Sequence, residues 1–176
     1  MAILVPPVEP RDHAQGSVSA PLTLVEYGDY ECPHCGAAHP VVKRLQEKLG
    51  SRLRFVFRNF PLTTIHDHAE QAAEAAEAAG AQDRFWEMHD QLLGHQDDLE
   101  DDRLLAHARA LSLDMKKFEA DLKSHAFMSR VKEDLRSGIR SGVNGTPNFF
   151  INGRRHDRGP TYEELLAALE AAVPAK

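Results

Sequence analysis

Two periods of apolar residues alternate along the chain. Residues 1–20 are broken by Pro, Gly and Ser and carry little periodicity, so they read as an extended N-terminal arm in which Ile3–Val5 is a candidate edge strand. Leu22–Tyr27 is apolar with a period of two, with Leu22, Leu24 and Glu26 on one face and Thr23, Val25 and Tyr27 on the other. That pattern predicts a strand buried on both sides. Cys35, Ala38, Val42, Leu45 and Leu49 then recur every three or four positions and predict a helix. Pro33 suits its first turn, Pro40 should kink it, and Gly50 should end it. Leu53–Arg58 predicts a second strand, closed by the Asn59-Phe60-Pro61 turn.

From His66 to Gly142 the period is helical and no strand is convincing. Helices are predicted over residues 66–80, 82–95, 101–110, 114–123 and 126–140. The first sets Ala69, Ala72, Ala73, Ala76 and Ala79 on one side and Glu70, Glu74 and Glu77 on the other, so close packing is expected on the alanine side. Asn148–Ile151 predicts a third strand, Asn152-Gly153 a two-residue hairpin, and Arg154–His156 a fourth, antiparallel strand. Leu165, Leu166, Leu169 and Val173 mark a closing helix.

The order is thus β-α-β, an all-helical stretch, then β-β-α. A right-handed crossover makes the first strand pair parallel. The expected fold class is α/β, a small mixed sheet flanked by helices with an all-helical insertion. The expected division is an arm over 1–20, a sheet domain over 21–62 and 143–176, and an insertion over 63–142.

At 176 residues, 42% hydrophobic and 27% charged, the chain has the profile of one globular domain rather than a disordered segment. Its 21 basic and 27 acidic residues give a net charge of −6, which argues against a nucleic-acid partner. No apolar run approaches the ~18 residues of a membrane span, so no membrane partner is expected. The opening Met1-Ala-Ile-Leu-Val-Pro-Pro lacks the basic and apolar regions of an export signal, and a cytoplasmic location is expected.

The two cysteines, Cys32 and Cys35, cannot form a disulfide scaffold. A bridge closing so short a loop stabilises little, so the pair calls for a chemical role. Cys-Pro-His-Cys follows a predicted strand and opens a helix, which aims amide N–H groups and the helix dipole at Cys32. Both favour a thiolate, the nucleophilic form. Pro33 sets the helix start, and His34 offers a further donor or positive charge. Cys35, one turn in on the apolar stripe, should be buried, protonated and able to resolve a mixed disulfide at Cys32. Zinc is the rival use of such a pair, with His39, His66 or His68 completing the ligands.

Glu26 interrupts an apolar strand six residues before Cys32. Buried beneath the pair, it would have a raised pKa and could relay the proton of Cys35; at a solvated strand end it would be ordinary surface. Thr146-Pro147 enters a strand after Val-Asn-Gly and suits a tight turn, trans or cis. His89, His95, His107 and His125 read as surface or core-edge residues, and Trp86, with Phe85 and Met88, as packing within the insertion.

Three segments carry a resemblance: Asp29-Tyr30-Glu31-Cys32-Pro33-His34-Cys35, Arg58-Asn59-Phe60-Pro61-Leu62, and Gly142-Val143-Asn144-Gly145-Thr146-Pro147-Asn148-Phe149-Phe150-Ile151-Asn152-Gly153. Together they resemble the DsbA-type branch of the thioredoxin superfamily, over about residues 10 to 173. The resemblance implies a thioredoxin fold with a helical insertion and thiol–disulfide oxidoreductase activity. It implies Cys32 as nucleophile, Cys35 as resolving thiol, Pro147 as a cis proline preceded by Thr146, and Glu26 as the family's buried acid. Thr146 departs from the Val that the periplasmic oxidants typically carry there, and the export signal they need is not seen.

The expected activity is disulfide exchange with protein or low-molecular-weight thiols, with an unidentified redox partner and no metal or organic cofactor. A monomer is expected, since no dimerisation stem is visible. Two rivals differ in kind: a zinc- or redox-responsive binding module without turnover, and a glutathione-dependent transferase or isomerase on the same fold.

Overall fold

In the computed structural model, residues 2–173 are described. Met1 of the expected arm, and 174–176 of the expected sheet domain, lie outside them. Five strands form one sheet: β1 (His13–Gln15), β2 (Leu22–Gly28), β3 (Leu53–Asn59), β4 (Asn148–Ile151) and β5 (Arg154–Arg155). Their spatial order is β1-β3-β2-β4-β5, with β2 and β3 parallel and every other pair antiparallel. Glu26 is in register with Phe57 on one side and Phe149 on the other. The sheet is therefore a βαβ pair extended by a hairpin, as the element order predicts.

Among the described residues there are seven α-helices and one 3₁₀ turn (Gly50–Arg52): α1 (Pro33–Leu49), α2 (Ala69–Gly80), α3 (Phe85–Gly94), α4 (Asp101–Ala110), α5 (Met115–Lys123), α6 (Met128–Arg140) and α7 (Tyr162–Ala171). The five insertion helices lie within a few residues of their predicted bounds. α1 runs through Pro40 without a break and stops at Gly50, whose positive φ suits glycine.

The alternation in β2 sorts the core into two layers. Leu22 and Leu24, with Phe55 and Phe57 of β3, pack against α1, the insertion and α7. Val25, Tyr27, Val56 and Phe150 make a second layer with Leu4, Phe60 and Val143. α6 closes this second face through Gly138. A Cβ there would lie 2.5 Å from Phe60 Cδ2 and 3.1 Å from Tyr27 Cδ1. Gly138→Ala is expected to destabilise the fold by about 1–3 kcal/mol, because overpacking outweighs alanine's better helix propensity. Urea unfolding measures this, and an unchanged or raised midpoint would contradict the packing argument.

The arm meets its expectation at one edge of the sheet and departs from it at the other. Ile3 makes an isolated bridge to Arg154, and Leu4 N donates to Gly153 O at 2.9 Å, so the start of the arm covers the β5 edge. The strand at the opposite edge, β1, comes from His13–Gln15, which carries no strand pattern. It is held by Arg58, a fully buried guanidinium that donates to both Asp12 carboxylate oxygens (3.0 and 2.8 Å), to the carbonyls of Pro6 and Pro7, and to the Tyr27 hydroxyl. A buried charge persists only when so paired.

α2 is also buried more completely than its alanine stripe implies. Glu74 and Glu77, on the side opposite the stripe, are buried as well. Glu77 accepts from Asn59 Nδ2 at 2.7 Å and meets His13 Nε2 at 2.8 Å, so its carboxylate serves an internal network rather than solvent.

Candidate active site

The chain leaves β2 at Gly28 and enters α1 five residues later. Cys32 is the N-cap, in an extended conformation, and Pro33 occupies the first helical turn. The Cys32 carbonyl accepts from Cys35 N at 3.0 Å and Gly36 N at 3.1 Å, which starts the helix. Both cysteines are free thiols, 4% and 0% exposed respectively. Thr146-Pro147 is cis, and Cys32 Sγ–H donates to the Thr146 carbonyl at 3.5 Å. The tertiary fold thus brings together residues more than a hundred positions apart.

The two thiols are pushed in opposite directions. A hydrogen bond from the Cys35 thiol, then Thr146 and the amides of Cys35 and His34, lower Cys32 to about 5 against the opposing effect of burial. The Thr146 hydroxyl is buried and makes no hydrogen bond. Burial, the hydrogen bond to Cys32 and the charge of Glu26 raise Cys35 far above an ordinary thiol, although Asp29 N donates to its sulfur at 3.4 Å. At neutral pH this is one thiolate beside one thiol.

Glu26 lies in the core layer beneath the pair, 1% exposed. Burial, followed by the nearby Cys32 charge, pushes its carboxyl up to about 8. Its Oε1 is buried without a hydrogen-bond partner. Gly28 leaves space beside it, since a Cβ there would sit 3.3 Å from that oxygen and closer still to Phe57.

The exposed His34 side chain lines a groove of about 370 Å³ between α1 and α7. Val41 and Tyr162 also line that groove, and the Arg44 guanidinium stacks 4.0 Å above the Tyr162 ring.

Several residues at the site carry no pattern that sequence reading could use. Asp29, fully buried, accepts at 2.8 Å from Glu31 N, Leu62 N and His66 Nδ1. Glu31 accepts from His68 N and meets His68 Nδ1 at 2.9 Å. These carboxylates tie the loop after β3 to the segment before Cys32. Burial opposes a charge on His66, but the Asp29 hydrogen bond and charge prevail and the Cys32 thiolate adds to them, so its pKa rises. His66 and His68 are thus engaged with carboxylates rather than directed to a zinc ion on the cysteines. Gln96 Nε2 donates to the carbonyls of Tyr30 (2.9 Å) and Cys32 (2.8 Å), and any side chain at Gly36 would collide with it.

His89 is the clearest reversal among the histidines. Expected at the surface or core edge, it is buried among Tyr30, Phe57, Phe85 and Trp86, with Nδ1 3.2 Å from the Tyr30 hydroxyl. Half-buried Trp86 packs on Phe55 of β3 and on Phe85 of its own helix, so it joins the insertion to the sheet rather than packing within the insertion alone.

Known proteins share this architecture. The thioredoxin family model matches residues 9–171. A thioredoxin-like oxidoreductase from Silicibacter pomeroyi DSS-3 superposes with TM-score 0.84 at 26% identity, covering 96% of this chain and 95% of its own. Oxidised BdbD from Bacillus subtilis superposes with TM-score 0.82 at 23% identity, covering 92% of each chain. Among curated sequences, Na(+)/H(+) antiporter NhaA 1 of Salinispora arenicola is 48% identical over 170 residues, which is 96% of this chain and 26% of that protein. The chain therefore spans about a quarter of the length of the curated relatives it matches. With the match covering nearly every element described above, and the cysteine pair facing a cis proline, the chain belongs to the thioredoxin family and its fold is DsbA-like.

Proposed function

We propose that the chain is a thiol–disulfide oxidoreductase that oxidises dithiols of extended polypeptides. The observation that carries this is the placing of the pair: Cys32 caps α1 beside the cis Thr146-Pro147 peptide, its sulfur 3.5 Å from the Thr146 carbonyl, while Cys35 is fully buried in the first turn. In the oxidised state a substrate thiolate attacks Cys32 Sγ, the Cys32–Cys35 bond breaks, and Cys35 leaves and takes up a proton. A second substrate thiolate then attacks the substrate sulfur of the mixed disulfide and releases Cys32 as a thiolate. Two electrons pass from substrate to pair, and one disulfide forms in the substrate.

A stabilised thiolate favours the reduced pair and so makes the disulfide a stronger oxidant. Protonated Glu26 beneath the pair supplies a proton near the leaving Cys35. Thr146, whose carbonyl already faces Cys32, is the place where an extended substrate backbone would lie.

Equilibration against glutathione buffers, with oxidised fractions read by mass, tests the direction. A potential at or above roughly −180 mV is expected; one at or below roughly −250 mV would make the chain a reductant of the thioredoxin kind. In a cytoplasmic setting an oxidant of this potential would be held reduced by the glutathione pool and would need a dedicated electron acceptor. The antiporter name belongs to proteins of which this chain matches about a quarter, and ion transport is not proposed for it. No described helix is long and apolar enough to cross a membrane.

A further inference from the structure

We propose that His39, His89 and Asp90 form a binding site for a divalent cation of the zinc class, between α1 and α3 and separate from the cysteine pair. One donor atom from each of the three lies within 4.8 Å of the other two. His39 Nε2 is 3.4 Å from Asp90 Oδ1. Ligand atoms on a tetrahedral zinc, at bonds of about 2.0–2.2 Å, are also about 3.4 Å apart. That edge of the site is already at ligand spacing, and the third donor lies within 4.8 Å of both.

The chemistry of the donors agrees. Zinc takes imidazole nitrogens, and the His39 and His89 rings lie edge to face with centroids 5.4 Å apart. The Tyr30 hydroxyl meets His89 Nδ1 at 3.2 Å and fixes the ring, the arrangement that orients metal-bound histidines. If His89 Nδ1–H donates to Tyr30, its Nε2 carries the free lone pair. Two imidazoles and one carboxylate select zinc, cobalt or nickel over magnesium or calcium, and leave a further position to water.

Asp90 supplies the remaining argument. Its Oδ1 is buried and makes no hydrogen bond of good geometry. Lys43 holds the carboxylate instead: its ammonium donates to Oδ2 at 2.8 Å and lies 2.7 Å from Oδ1. A cation therefore already sits where the metal would. Lys43 is partly exposed on a long stem and can turn into solvent, so a metal ion competes with it for Asp90.

The test is zinc titration of the tag-free, oxidised protein, in which the disulfide removes both thiolates as ligands. A competing chromophoric chelator reports affinity. One zinc per chain is expected. Losing a partner of a ligand already costs about 10–100-fold in affinity, so His39→Gln and Asp90→Asn should each cost at least about tenfold. Lys43→Ala should tighten binding, because it removes the competing cation, and His66→Gln should leave it unchanged. Absence of zinc uptake by the wild-type chain would overturn the site. So would binding that survives both His39→Gln and Asp90→Asn, or that is lost in His66→Gln. Because His39, Lys43 and Asp90 are all partly exposed, these variants avoid the folding cost of replacing His89.

Discussion

Cys32→Ser is expected to reduce disulfide exchange to the uncatalysed background, whereas Cys35→Ser should still attack and then accumulate as a mixed disulfide. The reason lies in how acidity divides the work. Against an ordinary thiol near 9, Cys32 near 5 is almost wholly ionised at pH 7, a gain of about a hundredfold in thiolate. Intrinsic nucleophilicity falls with pKa at a Brønsted slope of about 0.4–0.5, which over four units removes about as much. Attack by Cys32 is therefore not accelerated on balance. What remains is its quality as a leaving group, since the lower-pKa thiol departs faster. The arrangement thus favours release of Cys32 from a mixed disulfide, the step that completes oxidation of a substrate. Mass spectrometry of each variant after incubation with a disulfide peptide decides it. Retained turnover in Cys32→Ser, or trapping by Cys32→Ser instead of Cys35→Ser, would overturn the assignment of nucleophile.

The second large effect is on stability. Glu26→Leu should make the protein more stable than wild type, by a margin that widens as pH rises. The Glu26 carboxyl ionises near 4.5 when unfolded and near 8 in the folded chain, mainly because it is buried. A folded pKa above the unfolded one means the folded state holds the proton more tightly. Its contribution is fully present below about 4.5 and is lost as pH rises through about 8. Between pH 5 and pH 9 that loss is about 4 kcal/mol, which the leucine variant does not suffer. Asp134, which burial pushes to about 7, titrates in both chains and cancels in the comparison. Urea unfolding of the two oxidised proteins at pH 5 and pH 9 measures the difference; a pH-independent difference would show that Glu26 does not titrate in the core. The oxidised form keeps Cys32 from titrating, and burial, the larger cause of the Glu26 shift, remains.

The candidate site was half legible in the chain. Cys32, Pro33 and Cys35 are adjacent in sequence, and their helix start follows from local pattern. Glu26 stood out because a carboxyl in an apolar strand is anomalous. The supporting carboxylate–histidine pairs, Asp29 with His66 and Glu31 with His68, were not legible. Each joins residues 37 positions apart, and polar residues in loops carry no period that betrays a partner. For the same reason His66 and His68 read as possible zinc ligands.

Local patterns were enough for the strands of the βαβ and ββ units, the five insertion helices and the helix-opening position of Cys32. Periodicity reports which face of an element is apolar, and those faces are what the elements bury. Long-range pairing set the rest: β1 and the clasp of the arm by Arg58, the burial of Glu74 and Glu77, the place of His89 in the aromatic core, and the meeting of Thr146 with Cys32. Most of these rest on a buried polar group paired with a distant one, and such partners are chosen by three-dimensional packing rather than by spacing along the chain.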